Sequence, residues 1–235
     1  CSHIDEAISA LKKEETYYKY SKYEIYSSII ERSLKLFGSR FYPTSISSAV
    51  ILFQKGEDCS DAIKSYINYR EQNPLIEFYH SILPLIIQDD TQYVGISVNY
   101  SGQIIPAITL AALIKKAFSR VKIIFGGSLF PAYANKISAL NIFAEYSDAL
   151  IIYAGEYPWN NIIEYDTLDY IPGCMRSNGH SFIHNNLPLP QIKRALPDFS
   201  DYSLQRYLVP HNILPYAMSI GCYWGKCSFC GYQSY

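Results

Sequence analysis

Three short β-prone runs alternate with helical patterns across residues 91–165. They are Tyr93–Val98 (YVGISV), Val121–Phe125 (VKIIF) and Ala149–Tyr153 (ALIIY). Near-continuous apolar runs of this length fit strands covered on both faces. The stretches between them predict helices over Gln103–Phe118 and Pro131–Leu140, and a further helix starts over Trp159–Tyr165. Pro106 falls near the first turn of the Gln103–Phe118 helix, where a missing N–H costs little. Strands and helices in this order build βαβ units around a parallel sheet. The fold class expected is therefore α/β, with residues 91–165 as one sheet domain.

In such sheets ligands sit beyond the carboxyl ends of the strands. Ser97, Asn99, Gly126, Gly127, Gly155 and Glu156 all fall at such ends and are the candidate ligand-binding residues. The glycines allow tight turns or close backbone approach to a ligand, although a glycine after a strand is a turn by default. The chain has no G-x-G-x-x-G and no P-loop, which disfavours ordinary dinucleotide and nucleoside triphosphate sites.

Residues 1–90 read as mainly helical. Ile4, Ile8 and Leu11 keep a helical spacing, as do Tyr18, Ile25, Ile29 or Ile30, Leu34 and Phe37, with Gly38 placed as a C′ glycine. Ser45–Phe53 reads as extended, and Ala62–Arg70 as a second helical stretch. Asn73–Pro74 is a capping pair for a third helix, kinked or ended by Pro84. Residues 166–212 read as a connector with a hairpin signal at Asn178–Gly179 and stiffening at Pro188, Pro190 and Pro197. Ile213–Met218 (ILPYAM) is a strand opening a last segment, 213–235. His80, His180, His184 and His211 are read as packing or surface residues.

Composition narrows the partners. Lys+Arg number 20 against 21 Asp+Glu, so no strongly basic nucleic-acid surface is indicated. The longest uncharged apolar run, around Ile104–Ile114, is about half of a membrane span. No signal-peptide pattern opens the chain, and a cytoplasmic location is expected. The 23 tyrosines are read as compositional bias, since tyrosine packs well with its hydroxyl in water.

The six cysteines carry the chemistry. Cys59 and Cys174 read as buried, inert thiols, whereas Cys222, Cys227 and Cys230 fall within nine residues. Their segment is GCYWGKCSFCG, with spacing C-x4-C-x2-C. Clustering of this kind reads as a metal site in a reducing compartment rather than a disulfide framework. Three thiolates select zinc, copper(I) or an iron–sulfur cluster. A structural zinc needs a fourth ligand, either His211 or a residue outside the chain. A three-thiolate 4Fe–4S cluster instead leaves one iron open for chemistry. Spacing alone leaves zinc and iron–sulfur both standing.

The strand ILPYAMS followed by GCYWGKCSFCG resembles the cluster loop that opens a radical S-adenosylmethionine (SAM) enzyme. YVGISVNYSGQIIPAITLAALIKK, VKIIFGGSLFP and DALIIYAGEYP resemble a cobalamin-binding domain, and LPDFSDYSLQRYL resembles the segment joining the two in cobalamin-dependent radical SAM proteins. The resemblance covers about residues 91–235. It implies a Rossmann-like (flavodoxin-like) parallel-sheet domain, then the first strand and cluster loop of a partial β/α barrel. Cys222, Cys227 and Cys230 would ligate a 4Fe–4S cluster whose fourth iron binds SAM, with Phe229 near the adenine. Reduction would cleave SAM to methionine and a 5′-deoxyadenosyl radical, which abstracts hydrogen from an unreactive carbon. Cobalamin in the crevice above the sheet would carry a methyl group or assist the radical step, so a methyltransferase is the commonest expectation. The implied partners are a small-molecule or peptide substrate and an electron donor such as a flavodoxin or ferredoxin. No nucleic acid and no membrane are implied.

Two features depart from the commonest patterns of that family. The first cysteine gap is one residue longer than C-x3-C, and no Asp-x-His-x-x-Gly cobalt-ligand motif occurs. The chain opens with Cys1 and ends at Tyr235, five residues after the last cysteine. Cys1 could be a lipid-modified start, but no tether separates it from the first helix. The expectation is a piece of a longer enzyme that does not turn over alone.

Overall fold

The computed structural model describes residues 2–53, 60–133, 140–183, 185, 187–188, 196–215 and 222–228. The chain divides into two compact units. One comprises Cys1–Gln54 with Ala195–Ser219, the other Lys55–Arg194 with Ile220–Tyr235. Residues 166–194 fall in the second unit and 195–212 in the first.

The first unit is built on α1 (Ser2–Leu11), α2 (Glu14–Tyr17) and α3 (Tyr20–Gly38), followed by a short hairpin of β1 (Ser45–Ile46) and β2 (Ile51–Leu52). Ala7, Ala10, Leu11, Phe41, Ile46 and Phe53 form its core. Gly38 is not a left-handed C′ glycine: its φ is −63°. A Cβ there would lie 3.1 Å from the Ile46 nitrogen, so the residue is glycine because the hairpin presses against the end of α3. The Glu31 carboxylate anchors the hairpin turn by accepting from the Ser48 N–H and hydroxyl. The periodicity located α3 correctly; Ile29, Ile30 and Leu34 are half-buried, while Ile25 and Phe37 nearer its ends are 58% and 54% exposed. Lys12 Nζ donates to the Gln205 carbonyl at 2.8 Å, and His211 Nε2 lies 3.1 Å from Glu14 Oε1. These contacts hold residues 196–215 against α1 and α2.

The second unit opens with α4 (Ser60–Asn68) and α5 (Leu75–Ile86). The Asn73–Pro74 cap forms as expected: Asn73 Oδ1 accepts the Leu75 N–H at 3.1 Å. Asn73 is fully buried, and its amide donates to the Tyr66 carbonyl and to Thr109 Oγ1. A buried side-chain amide is tolerated only when so satisfied, and this one ties α4, α5 and the next helix together. Pro84 is carried inside α5, which ends two residues later.

The sheet then follows. Among the described residues it has five strands in the order β3 (Tyr93–Ser97), β4 (Lys122–Gly126), β5 (Ala149–Ile151), β6 (Cys174–Ser177) and β7 (Phe182–Ile183). β3, β4 and β5 are parallel, with Ile96 opposite Phe125 and Phe125 opposite Leu150. β6 and β7 are antiparallel, so the sheet is mixed rather than purely parallel. The reason is the hairpin at Asn178–Gly179. Asn178 Oδ1 accepts the His180 and Ser181 N–H groups, Gly179 takes φ +88°, and the two arms add to the edge of β5.

Connections place the helices. α6 (Ile104–Ala117) joins β3 to β4, and α7 (Asn141–Tyr146) joins β4 to β5. Phe143 of α7 packs edge-on against Phe125, with ring centroids 5.0 Å apart. α6 contacts α4, α5 and α7, so all four helices cover the Phe125 face. α8 (Glu156–Tyr165) crosses to the other face, where Ile162 packs with Ile124, Ala149 and Ile151. Trp159 lies on Gly95, where a Cβ would sit 3.1 Å from its ring.

Three sequence expectations are corrected. Of the helix expected over Pro131–Leu140, residues 131–133 belong to a 3-10 turn at Phe130–Tyr133 and residues 134–139 lie outside the described set; α7 begins at Asn141, and its Phe143 seats on Phe125. α8 starts at Glu156 rather than Trp159, directly after Gly155. Of the strand expected at Ile213–Met218, residues 213–215 form no strand and Ile213 is 68% exposed; residues 216–218 lie outside the described set. Among the described residues no helix is long and apolar enough to cross a membrane.

Candidate functional site

Topology opens a gap at one point of the sheet edge. After β4 the chain leaves toward the Phe125 face, and after β5 it leaves toward the opposite face with α8. Adjacent parallel strands with connections on opposite faces leave a crevice beyond their carboxyl ends. Gly126 and Gly127 stand at the mouth of β4, and Gly155 and Glu156 at that of β5.

The loops at this edge are not equally free to meet a ligand. Val98 donates its N–H to the Gly126 carbonyl at 2.7 Å and accepts the Leu129 N–H at 3.1 Å. The loop after β4 therefore folds back over the end of β3. Gly127 makes this possible, with φ +116° and a position where a Cβ would lie 2.4 Å from the Val98 oxygen. The close backbone approach that needs glycine is thus to the protein's own chain. Asn99 closes the same knot. Its Oδ1 accepts the Ser128 N–H at 3.0 Å, its amide donates to Ser97 Oγ at 3.3 Å, and its backbone N–H donates to Gln103 Oε1 at 2.8 Å. Ser128 and Gln103 were not singled out on sequence; no local pattern marks a loop-to-loop hydrogen bond. Gly155 differs, since a Cβ there would meet nothing within 4 Å. At the start of α8 the Glu156 and Tyr157 N–H groups have no intrahelical acceptor, Pro158 has no N–H, and Glu156 is exposed.

The cysteine segment has its own geometry. Cys222 is exposed and Cys227 half-buried; Cys230 and Phe229 lie outside the described residues. From Cys222 the chain turns back at Gly225, whose φ is +58°. The turn points the Gly225 N–H at Cys222 Sγ, 3.5 Å away. That N–H and the Trp224 N–H hold the Cys222 thiol below its ordinary value, because donors facing sulfur favour its anion. Lys226 Nζ lies 5.9 Å over the Trp224 ring. A backbone loop with N–H groups turned inward on a sulfur suits a thiolate ligand, since it spreads the negative charge that a metal centre must also share. Among the described residues no three His, Cys, Asp or Glu side chains come together. His211, the alternative fourth zinc ligand, is placed against Glu14 and the Tyr18 ring.

Cys174 is the contrasting thiol. It is 1% exposed, and burial, with Asp169 nearby, pushes it up to about 12. It is therefore a neutral packing residue on β6, as expected; Cys59 lies outside the described residues. In metal-free protein at neutral pH, iodoacetamide should modify Cys222 readily and leave Cys174 untouched until the sheet is unfolded. Peptide mapping by mass spectrometry checks this, and labelling of native Cys174 at the Cys222 rate would contradict the assignment.

No family model, no curated protein and no solved structure matches the chain.

Proposed function

We propose that the chain carries the cofactor-holding parts of a cobalamin-type radical SAM enzyme of the cytoplasm. Cys222, Cys227 and Cys230 are the ligands of a 4Fe–4S cluster on a loop that opens a partial β/α barrel. The observation that carries this reading is the turn at Cys222, whose backbone N–H groups face the sulfur within a C-x4-C-x2-C segment. When bound, the cluster supplies the electron that breaks the carbon–sulfur bond of SAM, releasing methionine and a 5′-deoxyadenosyl group.

The protein's own residues then have limited and definite tasks. The Gly225 and Trp224 N–H groups soften the charge on the Cys222 sulfur, which favours the electron-rich form of a bound centre. Gly225, with φ +58°, makes the turn that aims its N–H at the Cys222 sulfur. Phe229, between the last two cysteines, is the aromatic residue that would flank the adenine. Cobalamin would take the crevice between the mouths of β4 and β5. Gly155 leaves room there, and Ser97, Gly126 and Glu156 stand at its edge, while Asn99 and Gly127 shape the neighbouring loop. The reaction assigned is a radical step on an unreactive carbon, most simply a methylation, with electrons from a flavodoxin- or ferredoxin-type donor.

The test is anaerobic reconstitution with iron and sulfide, followed by addition of SAM and a chemical reductant. Iron-dependent visible absorbance, with an electron-paramagnetic signal that changes when SAM is added, is the expected result. About one zinc per chain with no iron uptake would replace this reading by a zinc-stapled binding module.

A further inference from the structure

At the end of the second unit opposite the crevice, α4, α5, α6 and α7 surround a cavity of about 230 Å³. Its place follows from topology: α6 starts beside the carboxyl end of β3 and runs back, and Lys116 is in its last turn. Ile76 and Leu113 are buried and form an apolar floor. Arg70, His80, Lys116 and Tyr146 stand around it. The cavity is therefore apolar below and carries two fixed cations, an imidazole and a phenol above.

The neighbouring cations show what is unusual here. Lys64 pairs with Glu145, Lys115 and Lys122 with Asp148, and Arg120 with Asp89. Arg70 and Lys116 make no ion pair among the described residues, although they border one cavity. Lys116 stands in the last turn of α6, where a cation is mildly favourable by itself, and Arg70 lies in the turn two residues after α4. That preference does not explain why two of them share a cavity with Tyr146. Burial raises the Tyr146 phenol, and Glu145 adds to the shift, so its hydroxyl stays a neutral donor. The volume is below that of drug-sized sites, which restricts the occupant to about one ring or a short chain.

We propose that this cavity binds a small amphipathic anion, a carboxylate or phosphate on an apolar body. The charged group meets Arg70 and Lys116, with the Tyr146 hydroxyl and a His80 N–H as further donors. The apolar body lies on Ile76 and Leu113. This site is independent of the cysteine loop and of any cofactor.

Isothermal titration of the 235-residue chain at low salt tests it, with phenyl phosphate, benzoate, inorganic phosphate and benzyl alcohol as probes. Saturable one-site binding of phenyl phosphate or benzoate is expected, and the tighter of the two identifies the head group. Inorganic phosphate and benzyl alcohol should each bind about tenfold more weakly or worse, lacking the apolar burial or the charge. Arg70→Gln and Lys116→Gln should each weaken the aromatic anion about tenfold. Arg120→Gln, a cation already paired elsewhere, should leave affinity unchanged. The proposal is overturned if neither aromatic anion saturates, or if Arg70→Gln and Lys116→Gln leave affinity intact. It is equally overturned if Arg120→Gln weakens binding as much as they do, since the attraction would then be general charge.

Discussion

Changing Cys222, Cys227 or Cys230 to Ala, one at a time, should abolish cluster assembly. Reconstituted iron is expected to fall from about four per chain to less than about one. Three thiolates would leave no redundancy: each would hold its own iron, and a cubane with two protein ligands is readily lost. Cys174→Ala is the internal control. Its thiol is buried on β6 and neutral far above physiological pH, so it cannot serve as a spare ligand. Iron loading in Cys174→Ala should equal that of the parent protein. Metal ligands must be deprotonated to bind, so assembly weakens as pH falls. The donors that hold the Cys222 thiol below its ordinary value favour its ligating anion on that descent. Full iron loading in any of the three Ala variants would remove the cluster from the proposal.

Gly127→Ala should destabilise the sheet unit by about 3–5 kcal/mol. Two effects add. The residue has φ +116°, which L side chains rarely adopt, and its Cβ would lie 2.4 Å from the Val98 oxygen and 2.6 Å from the Val98 nitrogen. Both close atoms are backbone, so no side-chain rotation relieves the contact. Relief requires the loop after β4 to lift from the end of β3, which breaks the Val98 and Leu129 backbone hydrogen bonds and the Asn99–Ser128 lock. Gly155→Ala is the matched comparison, since its Cβ would meet nothing within 4 Å and should shift stability by less than about 0.5 kcal/mol. Denaturant midpoints of the two variants measure the difference. A stable Gly127→Ala protein that has lost only ligand affinity would show that this glycine serves a bound molecule and not the fold.

Much of the architecture was legible before any tertiary structure. The runs at 121–125 and 149–153 gave well-covered strands as read, whereas β3 is an edge strand among the described residues, with Gly95 and Ser97 exposed; the helix between β3 and β4 has a covered face. Their order dictates βαβ units wherever they fold. The capping pair Asn73–Pro74 and the turn at Asn178–Gly179 are local chemistry and formed as read. The cysteine spacing likewise carries its own meaning, because a short loop limits how far three sulfurs can separate.

What escaped the sequence was decided at long range. Nothing local says that the Asn178–Gly179 hairpin will add to β5; its strands are short, and only the open edge of a sheet formed far upstream makes them pair. Gly38 and Gly127 are both read as turn residues from sequence, yet each is glycine because a segment distant along the chain or across the sheet presses on it. The seating of Phe143 from α7 on Phe125 of β4 joins residues that no local pattern pairs. Arg70, His80 and Lys116 around the cavity are scattered along the chain, and only the packing of α4, α5, α6 and α7 gathers them. By itself the sequence determined the alternating elements and the spacing of the cysteines, since periodicity and spacing act over a few residues. The tertiary structure decided which glycines are structural, which loop end stays open and where unpaired charge collects, because those depend on contacts between residues that the chain keeps far apart.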